Sequence, residues 1–272
     1  MKSIFNRPTF NRLRAVTTAA LATLALATSG AAFAQTALDD IIKAKKIRVA
    51  VPTDYPPYGF VGLDLKPQGL DIDFAHYIAG KLGVTAELIP VTSANRVPYL
   101  QSKKADIVIS TLGRTDERAK VIDFTHSYSP FFIAVFAKKD VAVKSFADLA
   151  GKSVAVTRGA TADQELAKVM PAGTEVKRFE DHVGALSAFM SGQTQVIATS
   201  APEMGTVIEK NPKAGIEQKL VLKISPNFIG VGKGEEALRA RVNEIILEAK
   251  KNGEIERLSK KWLGREPGEL PL

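Results

Sequence analysis

The segment Ala105–Lys120, ADIVISTLGRTDERAK, contains the strand, loop and helix start on which the reading of the fold turns. A β-type run stops at Ser110 and a loop of small residues follows. Thr115-Asp116-Glu117 then reads as a helix N-terminus with Arg118 in its first turn. Helix starts favour acidic side chains, because the helix dipole is positive there, so an arginine in that turn needs something to face. In open α/β sheets ligands gather beyond the carboxyl ends of the strands, and the free N–H groups of a helix start attract anions. Arg118 adds a fork of donors matched to a carboxylate. Thr111 and Gly113 are small enough to let a ligand approach the backbone. Either this is a carboxylate-sized anion site, or Arg118 is solvated or paired with Asp116 or Glu117. Spacing alone does not separate the two.

Strand and helix signals alternate around this segment. KIRVAV (Lys46–Val51) reads as a buried strand. GLDIDFAHYIAGKLG (Gly69–Gly83) reads as a helix with Leu70, Phe74, Ile78 and Leu82 on one face. AELIPV (Ala86–Val91) is a second strand and Asn95–Ser102 a short helix, so with ADIVIS the order is β-α-β-α-β, a parallel sheet covered by helices. The pattern restarts at GKSVAVTRG (Gly151–Gly159). A helix near Ala162–Met170, strand TEVKRF, a helix from Val183 to Ser191 and strand QVIA (Gln195–Ala198) follow. Two βα units of similar size predict two lobes. The apolar runs YSPFFIAVFAKKD (Tyr128–Asp140) and ISPNFIGVGKG (Ile224–Gly234) read as strands crossing between them, the second returning the chain to the first lobe. The expected division is 35–131 with 231–272 as lobe 1, and 132–230 as lobe 2. EEALRARVNEIILEAKKNG and IERLSKKWLG close the chain as helices.

The 272-residue chain is 45% hydrophobic and 24% charged, which suits a globular protein with a real core. Residues 1–34 read as a cleaved secretory signal peptide: a basic start with Lys2, Arg7, Arg12 and Arg14, an apolar stretch Ala15–Ala27, and AAFA ending in an A-x-A pattern. Their removal takes away four positive charges and no negative ones, so the formal charge falls from +8 to +4. No basic stripe of the nucleic-acid-binding kind remains. There is no cysteine, so an exported product relies on its core rather than on disulfides. The expected localisation is a bacterial periplasm, as a soluble protein.

Other strand ends carry similar chemistry. VTSANR (Val91–Arg96) places Ser93 as a hydroxyl donor and Arg96 in a first helical turn. Two arginines at the carboxyl ends of adjacent strands suit a ligand with two anionic groups. TDYPPYGF (Thr53–Phe60) is an aromatic loop stiffened by Pro56 and Pro57. Tyr55 can wall a small ligand, while Tyr58 and Phe60 are expected to pack beneath it. TRGATAD (Thr157–Asp163) is the counterpart loop of the second lobe; it is not a phosphate loop, because the lysine-serine/threonine end is missing. His76, His126 and His182 have no metal spacing. His76 reads as structural, and His182, at a strand end before a helix, is open to a cleft role. No metal and no cofactor is expected.

YPPYGF, GLDIDFAHYIAGKLG, PYLQSKKADIVIS, RTDERAKVIDFT, SFADLAGKSVAV and GEIERLSKKWLG, in this order, resemble the polar amino-acid-binding proteins of ABC importers, family 3. The resemblance implies the type II periplasmic binding protein fold: an α/β protein of two lobes, each a mostly parallel sheet flanked by helices, joined by two crossing strands. It implies that Arg118 grips a ligand α-carboxylate with Thr111. Gly113, where the family usually has threonine or serine, offers only a backbone N–H. Tyr55 would wall the ligand and Thr161 would close over the carboxylate from the second lobe. TSANR is similar to the glutamate/aspartate-binding branch, which implies Ser93 and Arg96 for a side-chain carboxylate and His182 facing the ligand. Pro52 stands where members with basic ligands carry an acidic residue, which argues against a basic ligand. Ser200 stands where the family has an aspartate paired with the α-ammonium. Either another group compensates, or the ligand lacks a free α-ammonium, since a buried unpaired ammonium is costly.

The expected function is therefore a periplasmic binding component that closes on a small polar or acidic amino acid, or a related carboxylate, and docks on a membrane permease as a monomer. The alternatives are a dehydratase of prephenate-like acids on the same fold and a ligand sensor for a receptor. For the enzyme, only Asp54, Asp116, Glu117 and Asp163 stand on the ligand loops as acids, each with an ordinary capping or turn role.

Overall fold

The computed structural model describes residues 36–271, so the expected signal peptide lies outside the described residues. In chain order the elements begin with α1 (Ala37–Ala44), β1 (Lys46–Val51), β2 (Asp54–Tyr55), β3 (Gly59–Val61), β4 (Pro67–Gln68) and α2 (Leu70–Leu82). They continue with β5 (Thr85–Pro90), α3 (Arg96–Gln101), β6 (Ile107–Leu112), α4 (Asp116–Ala119) and β7 (Ile122–Ser129). Then come β8 (Phe132–Lys138), β9 (Ser153–Thr157), α5 (Thr161–Val169), β10 (Glu175–Phe179), α6 (His182–Met190), β11 (Val196–Ser200), α7 (Ala201–Lys210) and β12 (Ile216–Ile224). β13 (Asn227–Gly232), α8 (Glu236–Lys251) and α9 (Glu254–Leu263) end the chain.

Two five-stranded sheets form, ordered β5-β1-β6-β13-β7 and β10-β9-β11-β8-β12. Each is built on a parallel trio. β1 runs parallel to β5 and β6, with Val49 opposite Ile107, and β9 runs parallel to β10 and β11, with Val154 opposite Val196. Helices cover both faces of such strands, which explains their unbroken apolar runs. β6 is buried at every position. Helix α2 buries Phe74, Ile78 and Leu82, and α8 buries Leu238, Val242, Ile245 and Ile246. Each such side chain contributes roughly 1.5–3 kcal/mol. The histidine expected to be structural, His76, is exposed on α2.

The parallel trios follow the predicted βα order; the antiparallel strands do not. β7 and β12, the short β2-β3-β4 ribbon and helix α7 were not anticipated. The two runs predicted to pass between halves do connect the sheets, and proline interrupts each, because it has no N–H for a ladder. The chain leaves the first sheet at Ser129, enters the second at Phe132, leaves it at Ile224 and re-enters the first at Asn227. Residues 227–230, grouped by sequence with the second half, thus pair with β6 and β7 of the first sheet. The two links are tied together, the Ser225 N–H donating to the Phe131 carbonyl at 2.9 Å.

Candidate functional site

The carboxyl ends of the six parallel strands meet between the sheets, as open α/β folds require of a ligand site. Tyr55, Ser93, Arg96, Thr111, Thr161 and His182 line one cavity there, together with Phe131, Thr157 and Thr199; its volume is about 10 Å³. That is room for about one water, so the loops lie in near contact. A larger groove, of about 530 Å³, is lined by residues of α7, β12 and the end of α9. Its charged groups, Glu209 and Arg265, are exposed, and it lacks the fixed, convergent polar groups a specific ligand needs.

Both arginines are buried, Arg96 at 2% and Arg118 at 6% exposure. Arg118 is neither solvated nor paired with its acidic neighbours. It donates to the Gly113 carbonyl at 2.8 Å, the Gly159 carbonyl at 2.9 Å and the Thr161 hydroxyl at 3.4 Å. Arg96 donates to the carbonyls of Ser93 (3.0 Å), Ser110 (2.7 Å), Thr111 (3.2 Å) and Gly159 (3.1 Å). The two guanidinium groups therefore converge on one oxygen, the Gly159 carbonyl of the loop after β9. Every hydrogen-bond acceptor they have among the described residues is a neutral carbonyl or hydroxyl. Burial, and for Arg96 also the charge of Arg118, pushes Arg96 down to about 9, while burial pushes Arg118 down to about 10. Both stay charged at neutral pH, two cations in a site without a matched carboxylate pair.

The backbone is shaped around them. Thr111 is held at φ +44°, a strained conformation for a β-branched residue. Its N–H donates at 3.0 Å to Asp71, whose other oxygen accepts from the Tyr128 hydroxyl at 2.7 Å. Gly159 sits at φ +69°, and a Cβ there would meet the Ala94 Cα at 3.0 Å. At Gly113 a Cβ would meet the Thr161 hydroxyl at 2.9 Å. The side-chain hydroxyl missing at this position thus has no room while Thr161 stands where it does.

The opposite wall is aromatic and largely uncharged. Tyr55 stacks on His182, with ring centroids 3.5 Å apart and planes 15° from parallel. His182 Nε2 lies 3.3 Å from the Ser93 hydroxyl and Nδ1 3.2 Å from the Thr157 hydroxyl; its backbone N–H donates to Asp54 at 2.7 Å. Asp54 therefore does cap a helix, but one from the other sheet. Tyr58 packs fully buried beneath Tyr55, and Phe60 packs edge-on against Trp262. Ser200, fully buried, caps α7 by accepting from the Glu203 N–H at 3.3 Å and does not line the cavity.

Glu203 was missed by sequence reasoning. It is 2% exposed, accepts a hydrogen bond from the Thr199 hydroxyl, and lies 3.9 Å from His182 Nδ1. Burial pushes its carboxyl up to about 8, while burial and then Arg96 push His182 down to about 3. Both are neutral near pH 7, so their approach is not an ion pair. An acid in a helix first turn is ordinary, which is why this one carried no signal. Asp71, fully buried, is pushed up by burial to about 7. Among the described residues no cluster of three or more histidines, aspartates and glutamates could hold a metal ion, and no helix is long and apolar enough to cross a membrane.

The family described as bacterial extracellular solute-binding proteins, family 3, matches residues 47–265. An L-cystine-binding protein of Escherichia coli is 28% identical over 229 residues, covering 84% of this chain and 86% of its own length. An ABC transporter glutamine-binding protein of Bacillus subtilis is 30% identical over 206 residues, covering 74% and 75%. Among solved structures, an ancestral amino acid-binding protein described as a precursor of cyclohexadienyl dehydratase superposes with a TM-score of 0.75 at 32% identity, covering 84% of this chain and 99% of the other.

Proposed function

The chain belongs to the bacterial extracellular solute-binding proteins, family 3, and from that premise we propose that it captures a small polar or acidic amino acid, or a related carboxylate, for an ABC importer. Each sheet with its helices forms a lobe, and the lobes hinge at the proline-broken links Pro130–Phe131 and Ser225–Pro226. Opening withdraws Gly159 from Arg96 and Arg118; closure places the ligand between them. The protein works in the periplasm after loss of its signal peptide, as a monomer that docks on a membrane permease.

The observation that carries this reading is the convergence of two buried guanidinium groups on one carbonyl oxygen that comes from the other sheet. A carboxylate is a better partner for a guanidinium fork than a neutral carbonyl, so a ligand carboxylate competes for these donors. Within the class, the placement of Ser93, Arg96 and His182 at one cavity favours a second anionic or polar group on the ligand, as in glutamate or aspartate. Micromolar capture needs only about −8 kcal/mol. Calorimetric titration of stripped protein with the twenty amino acids and with dicarboxylates tests the proposal. Heat with none of them refutes it.

One observation favours a second reading, a dehydratase of prephenate-like acids. Such chemistry needs a placed proton donor, and Glu203 is a buried carboxylic acid held neutral beside the cavity. Incubation with prephenate and a search for phenylpyruvate decides it.

A further inference from the structure

We propose that Glu203, on the first turn of α7, is the carboxylate that receives the α-ammonium of an amino-acid ligand, and so selects amino acids over carboxylates that lack the amine. This rests on the binding function just given. An α-amino acid carries its cation one carbon from its carboxylate, so a site that grips the carboxylate needs an acceptor for the ammonium close by. Three buried or half-buried carboxylates stand behind the cavity wall, each hydrogen-bonded to a residue that lines it. Asp71 lies on the side of the arginines and holds Tyr128 and Thr111. Asp54 accepts from the His182 N–H.

Glu203 differs. It comes from the second sheet, behind Thr199 and His182, which line the cavity wall facing Arg96. One oxygen accepts from the Thr199 hydroxyl, and the other, Oε1, lies 3.9 Å from His182 Nδ1, beyond hydrogen-bond reach. The Ser200 hydroxyl caps α7 and carries no charge to pair with an ammonium. The stacked Tyr55 and His182 rings add a face that favours a cation.

The charged and titratable groups facing Glu203 are Asp54, Tyr55, Tyr58 and His182. None is a cation near neutral pH, so nothing already present ionises it. Buried alone, its carboxyl stays protonated. Arrival of an ammonium makes the carboxylate the favoured form, and the proton leaves to solvent: a carboxylic acid and an ammonium become a carboxylate–ammonium pair plus one released proton.

The test is calorimetry at pH 7 in phosphate and in Tris, whose ionisation enthalpies differ, on stripped wild type and Glu203→Gln. Titrants are the twenty amino acids and the deaminated counterpart of any that binds, glutarate for glutamate. Wild type is expected to bind an amino acid with release approaching one proton. Glu203→Gln should bind it at least ~30-fold more weakly, with no proton released and with binding of the deaminated counterpart unchanged. A Glu203→Gln protein that binds the amino acid equally well with the same proton count overturns the inference. So does a wild type that prefers the deaminated compound. Wild type binding none of the twenty overturns the proposed function itself and this inference with it. If Glu203→Gln folds poorly, Glu203→Asp serves: it should keep the proton release and lose affinity, and unchanged affinity with no release counts against the inference.

Discussion

Replacing Arg118 with methionine separates a ligand-gripping arginine from a structural one. Methionine is long and unbranched enough to fill the space. The change removes two good hydrogen bonds from a charged donor, to Gly113 and Gly159, and a long one to Thr161, a loss of about 3–6 kcal/mol. Against this, burial lowers the Arg118 pKa from 12.5 to about 10, a cost to the charged form of about 3 kcal/mol at 1.36 kcal/mol per pKa unit. The second offsets much of the first, and the Gly159 carbonyl keeps Arg96 as a donor. Stability should therefore fall by no more than about 3 kcal/mol. Binding should not escape so lightly. A ligand carboxylate loses two charge-assisted hydrogen bonds of roughly 1.5–3 kcal/mol each, a fall in affinity of about 10²–10⁴. Urea unfolding and calorimetric titration of the same preparation read both quantities. Stability lower by more than about 3 kcal/mol with affinity unchanged would show that Arg118 holds the fold and not the ligand.

Gly159→Ala should loosen closure, because its methyl meets the Ala94 backbone from the other half of the site and overpacking costs about 1–3 kcal/mol. Small-angle X-ray scattering should then show a larger radius of gyration than wild type, and an unchanged profile contradicts the contact. Stability against pH has a definite sign. Glu203, at about 8, and Asp71, at about 7, keep protons that their unfolded counterparts lose above about 4. Their contribution is full below the unfolded values and is lost as pH rises towards 8. His182, at about 3, works the other way, its contribution growing as pH rises to about 6.5. The trends oppose below about 6.5 and leave only the fall between 6.5 and 8. The urea midpoint should drop across that window, and Glu203→Gln should flatten the drop. A midpoint that rises there, or a variant curve parallel to wild type, refutes the assignment.

Local sequence was enough for the elements whose signals are periodic. Lys46–Val51 is a strand and Leu70–Leu82 a helix at nearly the expected bounds, because side-chain burial repeats along them with the period of the element. The turns that follow the parallel strands were legible too, since a strand end, small residues and a helix start are adjacent in the chain. Those turns offered Tyr55, Ser93, Arg96 and Thr111, and the family resemblance added Thr161 and His182; all six share one cavity.

Tertiary structure decided the rest. The antiparallel strands β7 and β12 owe their places to partners far along the chain, and no βα rhythm announces them. What the two arginines face is a backbone carbonyl, and a carbonyl leaves no mark in a sequence: any residue at 159 has one, and only the approach of two loops makes this one an acceptor. Glu203 is an ordinary helix-start acid by sequence. Its burial beside Thr199 and His182, which no local pattern encodes, is what makes it neutral. Local periodicity therefore specified the elements and the loops that carry the chemistry, while long-range packing assigned each polar group its partner, because desolvation and hydrogen-bond geometry depend on atoms distant in the chain.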